Sequence, residues 1–407
     1  MNIERISELD IFKPNEDSSK NACIGENGHH DFQTYAEGYL HAASRLIESV
    51  LDQNFDVETD VIVHPILYSV RHAIELSIKH AMEELSKTFS CVERNKGHGL
   101  LDLWKKFKTA SERDRRLKRI ADELDQFVMM LDEIDPDAQD FRYPINSLGN
   151  KTLVSRSIVD MEMLSQAIIL LGQELKKLFQ VLPIIREERS YNAFTKKLNR
   201  EELRELSLEL PRFDKWKEKT SINQVCDKWK LEYSISKDDF SEATQFIKAH
   251  REFSENIGIK IPLLFLCDDV ILLLVSARNE IDLQNRAQRG RPMRELICQP
   301  SPYPSVFNSL KDKLSVDIVA DITAIFYLSR EGYLSDAYEG LVETHRTEIM
   351  AESMNSKSAI QRTFAHVFSK ATFNRHFVRG LKNLGQKSIV ENLPDLVLSI
   401  KNLDTIE

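Results

Sequence analysis

The chain has 407 residues, 42% hydrophobic and 29% charged, with a net charge of −9 and a pI near 5.8. That length suits two or three domains with cores of their own, and ordinary hydrophobic content marks a globular protein. The acidic balance excludes a protein that coats nucleic acid with its whole surface, while leaving room for one basic patch.

Five cysteines, Cys23, Cys91, Cys226, Cys267 and Cys298, stand without C-x-x-C spacing. They read as reduced thiols of a cytoplasmic protein, not as a disulfide framework or a zinc site. Only 13 glycines and 12 prolines, against abundant Leu, Ile, Glu and Lys, favour helix throughout. No signal peptide is expected, because Met1–Asp31 is polar and acidic. The most apolar run, Ile259–Ala277, is broken by Asp268-Asp269 and reads as a buried helix, not a membrane span.

In chain order, residues 1–31 read as an extended lead-in. A helix follows from Phe32 to about Leu51, with Tyr39, Ala43, Leu46 and Ile47 at helical spacing. The next helix begins at His64-Pro65 and runs to about Leu85. Pro65 suits a first turn, where its missing N–H costs nothing. On this helix Ile66, Val70, Ala73, Ile74, Ser77 and Ile78 share one face. Leu67, Arg71, Glu75 and Lys79 form an adjacent stripe at i, i+4 spacing. After the loop 93–99 come helices over Leu100–Phe107 and Ile120–Ile134, the latter ended by Asp135-Pro136, and a long helix from Val159 to about Leu182.

These residues carry a resemblance. His64-Pro-Ile-Leu-Tyr68, followed by Arg71-His72 and Glu75-Leu76, resembles the signature helix of a HEPN-like family of bacterial helical proteins. Gly97-His98 before Leu103-Trp104, and Asp135-Pro136 before Phe141-Arg142-Tyr143-Pro144 and Gly149-Asn150, resemble its other marks. The match covers roughly residues 32–182. It departs at Gly99, where the family usually reads His-Asp-Leu. The resemblance implies an all-α HEPN-like bundle over 32–185, a second helical region over 186–407, and a homodimer without cofactor. It implies one of two functions. The first is an RNA-directed effector of a bacterial defence or toxin system, acting as a metal-independent ribonuclease. The second is a non-catalytic adaptor that binds RNA, a nucleotide or a protein partner. The nucleases of this family place four to six residues between an Arg and a His, which act as phosphorane-stabilising cation and base. None of the 11 histidines here has an Arg at that spacing; Arg94–His98 and Arg362–His366 fall one residue short.

Candidate site residues in the bundle are Arg71, His72, Glu75, His98 and Arg142. They suit a phosphate-holding cluster fed by helix and loops, or equally a buried network with Arg142 accepted by Glu75.

The second region is read from residues alone. Leu182-Pro183 and Arg186–Ser190 look like a domain junction. Ser221–Trp229 and Ser236–Phe246 are spaced like a helix-turn-helix, with too long an interval and too many acidic residues to read DNA. Ile261–Asp282 is expected to be a buried helix, residues 284–304 a basic linker, and Val316–Ser329 with Asp336–Glu348 a helix pair around Gly332. Ser353–Val390 holds no Asp or Glu but carries Lys357, Arg362, Lys370, Arg375, Arg379, Lys382 and Lys387. Four phenylalanines interleave with these cations, as core or as base-stacking rings. Arg375, Arg379 and Lys382 fall on one stripe, and with Arg362 and Lys370 they are the candidate nucleic-acid contacts. His29-His30-Asp31 is ligand-like but stands alone, so no metal is expected.

Overall fold

A computed structural model describes residues 6, 9–28, 30–52, 59–92, 99–146, 149–154, 156–287, 306, 308, 310–355 and 358–393. Among the described residues the chain forms 15 α-helices and no β-strand, with one isolated bridge between Ile145 and Lys151. No described helix is long and apolar enough to cross a membrane. Packing divides the chain into two compact units, Met1–Arg186 and Glu187–Glu407.

The first unit holds α1 (Phe32–Leu51), α2 (Thr59–Thr88), α3 (Leu100–Ser111), α4 (Arg115–Ile134) and most of α5 (Met161–Ser190). Asp31 caps α1 by accepting the Thr34 N–H at 2.9 Å, and Asp114 caps α4 from Arg116. Helix α1 lies along α2, and α3 joins α2 to α4. Their shared core includes Ile47, Val70, Ile74, Leu103, Phe107, Leu124, Val128, Leu171 and Leu178. Each such side chain contributes about 1.5–3 kcal/mol by leaving water.

Two features differ from the sequence reading. Helix α2 begins at Thr59, so Pro65 sits inside it. Pro65 and Val61 are both exposed, and Pro65 has no N–H to offer the Val61 carbonyl. Helix α5 continues through Pro183 to Ser190, so the expected junction is helical. Leu182 and Ile185, each 1% exposed, keep that segment packed past the proline.

The second unit has two cores. One gathers Leu203, Leu206, Trp229, Ile247 and Phe253. It is built from α6 (Arg200–Glu209), α7 (Lys219–Tyr233), α8 (Lys237–Ala249) and α9 (Arg251–Asn256). Capping boxes start α6 at Asn199 and α8 at Ser236. The other core is built from α10 (Asp268–Ala287), α11 (Val316–Arg330), α12 (Tyr338–Asn355), α13 (Ala359–Phe368), α14 (Phe373–Asn383) and α15 (Lys387–Glu391). Helix α11 is central and packs against α12, α13 and α14. Gly332, at φ +74°, makes the turn after α11.

The expected helix from Ile261 starts only at Asp268. Before it, the Phe265 and Leu266 N–H groups donate to buried Asp321 at 2.9 Å each, and the Leu264 N–H to the Tyr338 hydroxyl at 3.0 Å. These long-range acceptors replace the helical carbonyls that such amides would otherwise need. Burial pushes the Asp321 carboxyl up, even though the Tyr338 hydroxyl and both amides donate to it. Gln284–Ala287 complete α10, and the rest of the expected basic linker, with Arg289, Arg291 and Arg294, lies outside the described residues.

Candidate functional site

Arg71 and Glu75 stand one turn apart on the inner side of α2, 1% and 4% exposed. Arg71 Nη1 donates to Glu75 Oε2 at 3.3 Å, and Arg71 Nε donates to the Asp135 carbonyl at 3.0 Å. The same Nε lies 3.3 Å from Asp135 Oδ2, and Nη2 reaches the Pro136 carbonyl at 3.5 Å. Asp135 is fully buried, and its Oδ1 accepts the Asp140 N–H at 2.9 Å. Lys79 Nζ sits 2.7 Å from Glu75 Oε1. Two cations thus face two carboxylates, and one guanidinium ties the end of α4 and the following turn to α2. A buried charge is tolerated only when paired and hydrogen-bonded in this way.

His72 is partly exposed. Its Nδ1 is 3.9 Å from Glu75 Oε2, its ring stacks on Tyr68 at 5.5 Å, and the Tyr39 edge meets it at 4.6 Å. Arg142 does not reach Glu75. It is exposed, donates from Nε to the Ala138 carbonyl, and lies 5.7 Å over the Tyr68 ring and 5.4 Å over Tyr143. Asp135, fixed by the Asp140 amide, takes the Arg71 contact and closes the network without Arg142. His98 lies outside the described residues. The structure therefore brings Arg71, His72 and Glu75 together and leaves Arg142 one aromatic ring away. Arg71, 1% exposed, has no solvent access.

The acid-free segment folds as α13, α14 and the start of α15. Phe364, Phe368, Phe373 and Phe377 are all core; the last two are fully buried and stack on each other at 5.1 Å. The alternative of a base-stacking role for these rings is thereby overturned, because the amphipathic face of α14 needs them inside. Arg375 and Arg379 are exposed one turn apart on the opposite face. Among the described residues no carboxylate lies within ion-pair distance of either. Lys382 and Lys370 are half-buried. Arg362 stands elsewhere, 3.6 Å from Glu352 and donating to Ser358 Oγ at 2.7 Å. His376 lies between the two exposed arginines in sequence and reaches Ser329 Oγ at 3.4 Å. Burial, and after it the charges of Arg375, Arg379 and Arg330, push its imidazole pKa down. Arg330, at the end of α11, thus adds a third guanidinium; it lies 3.5 Å from Glu331 and 5.5 Å over the Tyr327 ring.

Compared with models of protein families, with curated proteins and with solved structures, the chain matches none. Among the described residues no three metal-ligating side chains converge.

Two clusters escaped the sequence reading, since each joins residues far apart in the chain. In the first, Asp336 Oδ1 meets His250 Nε2 at 2.9 Å and Oδ2 accepts Arg200 Nε at 2.8 Å. The Ser335 hydroxyl donates to Glu252 Oε2 at 2.8 Å, and Arg200 also pairs with Glu252. The Phe253 N–H lies 3.3 Å from His250 Nδ1, on the ring edge away from Asp336. Every charge in this cluster is already answered within it. The second is a cleft between α11, α12 and α13 that holds Tyr327, His345 and His366. Only local composition could have pointed to it, and no motif spacing links residues on three helices.

Proposed function

We propose that this protein binds RNA without cutting it: a HEPN-like bundle serves as a non-catalytic scaffold, and the second unit holds the phosphate backbone. The observation that carries this reading is the exposed pair Arg375 and Arg379, one turn apart and unmatched by carboxylates among the described residues, with Arg330 nearby because its neighbour Ser329 reaches His376 at 3.4 Å. Guanidinium groups in such a row suit successive phosphate oxygens, to which they donate two hydrogen bonds at once. The burial of Arg71 and Glu75 supports the non-catalytic half. A base and a cation for ribose cleavage must reach the 2′-hydroxyl and the phosphate, and this pair is closed in a core.

Backbone contacts release counterions, so affinity for single-stranded RNA is expected to fall with salt at a slope near −0.7 per phosphate engaged. The combined change Arg375→Glu, Arg379→Glu and Lys382→Glu is expected to weaken binding and flatten that slope by about two, while incubated RNA stays uncut on a gel. Fluorescence anisotropy across a salt series measures both quantities. Undetectable RNA binding by the wild type at low salt overturns the reading.

A further inference from the structure

Arg142, left outside the buried network, stands at the surface of the first unit in a ladder of rings. Tyr39 of α1 meets the His72 ring edge-on at 4.6 Å, and His72 stacks on Tyr68 at 5.5 Å with 10° between the planes. The Arg142 guanidinium lies over the Tyr68 ring at 5.7 Å and over the Tyr143 ring at 5.4 Å. A guanidinium stacked on aromatic faces keeps its in-plane N–H bonds for an anion. Nε of Arg142 donates to the Ala138 carbonyl, and among the described residues its Nη groups have no hydrogen-bond or ion-pair partner. Tyr143 is 52% exposed, and with Arg142 on one face its other face is open.

The backbone holds both side chains in place. The Arg142 and Tyr143 N–H groups donate to the Gln139 carbonyl at 3.0 and 2.9 Å. The Tyr143 carbonyl accepts the Thr152 hydroxyl at 2.7 Å. Ala138, whose carbonyl steadies Arg142, stands at φ +58°, a conformation that a residue with a Cβ keeps only where its surroundings impose it. Buried Asp135 closes that turn by accepting the Asp140 N–H at 2.9 Å. A ring and a guanidinium fixed in advance lose little freedom when a ligand arrives.

We propose that Arg142 and Tyr143 hold one unpaired nucleotide, its phosphate on the Nη edge of Arg142 and its base against the open face of Tyr143. A guanidinium by itself takes any phosphate, and a phenol ring takes any flat group. Side by side on adjacent residues, they match a ligand that joins a ring to a phosphate. Stacking tolerates every base, since each has a π-face. A free nucleotide and an RNA strand offer the same chemistry; only the strand rests on the RNA-binding reading.

The test uses the full chain with its tyrosine rings isotopically labelled, titrated with adenosine 5′-monophosphate and with adenosine. The Tyr143 resonances, identified by their absence in Tyr143→Phe, are expected to move with the monophosphate at millimolar concentration. About tenfold more adenosine is expected to be needed for the same shift, because it lacks the charged contact. Arg142→Gln, at an exposed position, is expected to remove that advantage while the remaining spectrum stays folded. No movement at millimolar monophosphate, or an equal response to both compounds, overturns the proposal, whatever RNA does elsewhere on the chain. In a second arm, oligo-A of about 12 nucleotides is followed by anisotropy across a salt series. A strand at this site is expected to bind Tyr143→Ala about tenfold less tightly with an unchanged salt slope, and to lose about 0.7 of slope in Arg142→Gln. Oligonucleotide binding that ignores both changes, in a chain whose Tyr143 answers the monophosphate, upholds the site with a free nucleotide as its ligand. Monophosphate shifts in a chain that binds no oligonucleotide uphold the site and overturn the RNA-binding reading alone.

Discussion

Arg71 places a full positive charge where water does not reach, and the oxygens of Glu75, Asp135 and Pro136 surround it. Arg71→Ala leaves two carboxylates buried beside a cavity and is expected to cost about 3–5 kcal/mol, read from the urea midpoint. An unchanged midpoint would show that the guanidinium is not structural. The i, i+4 spacing of Arg71 and Glu75 made their pairing legible in the sequence. The part of Asp135 was hidden, because local pattern marks it only as the residue that ends a helix, and its partner lies 64 positions earlier. Asp336 lends itself to a pH test. Burial acts against its charge, but the hydrogen bond and charge of His250, with Arg200 behind them, outweigh it and hold the carboxyl at about 2, below the ordinary 3.8. A folded-state value below the unfolded one gives stability that is complete above 3.8 and lost as pH falls through about 2. At about 1.4 kcal/mol per pH unit, that stability is about 2 kcal/mol. Unfolding free energies of the wild type and Asp336→Asn should therefore converge as pH falls across that window. A gap that stays constant would rule out the assignment.

Among the elements, α14 depends most on one small residue. A Cβ on Gly380 would stand 2.2 Å from the Ile325 carbonyl oxygen on α11, so the two helix backbones approach closely there. Gly380→Ala gains roughly 1 kcal/mol of helix propensity but overpacks the contact by about 1–3 kcal/mol. A lower melting temperature is expected. RNA affinity should fall with it, because α11 carries Arg330 and α14 carries Arg375 and Arg379. A variant that melts higher would show that the helices part without cost. The spans of α1 and α11, and the end of α4, were readable, since apolar periodicity is a local signal. Pro183 and Ile261–Cys267 misled for opposite reasons. Buried neighbours carry α5 past a proline, whereas Asp321 and Tyr338 draw amides out of a stretch that is apolar enough to be helical.

At the scale of the whole molecule, amphipathic helices pack around one apolar interior in the first unit and two in the second, and the sequence announces that class through composition alone. Which helix faces which is not legible there, because any apolar stripe matches any other until side-chain shape decides. The cleft of His345 and His366 was missed on that account, whereas the acid-free run at 353–390 was visible because charge is a local count. That run has a colloidal consequence. A body of net charge −9 that displays a compact cationic face is a patchy particle, and its copies attract face to flank when salt is low and RNA absent. Added salt shortens the reach of that attraction to within about a Debye length. Dilute solutions should therefore clear with salt instead of clouding, and an RNA that occupies the patch should act as a solubiliser.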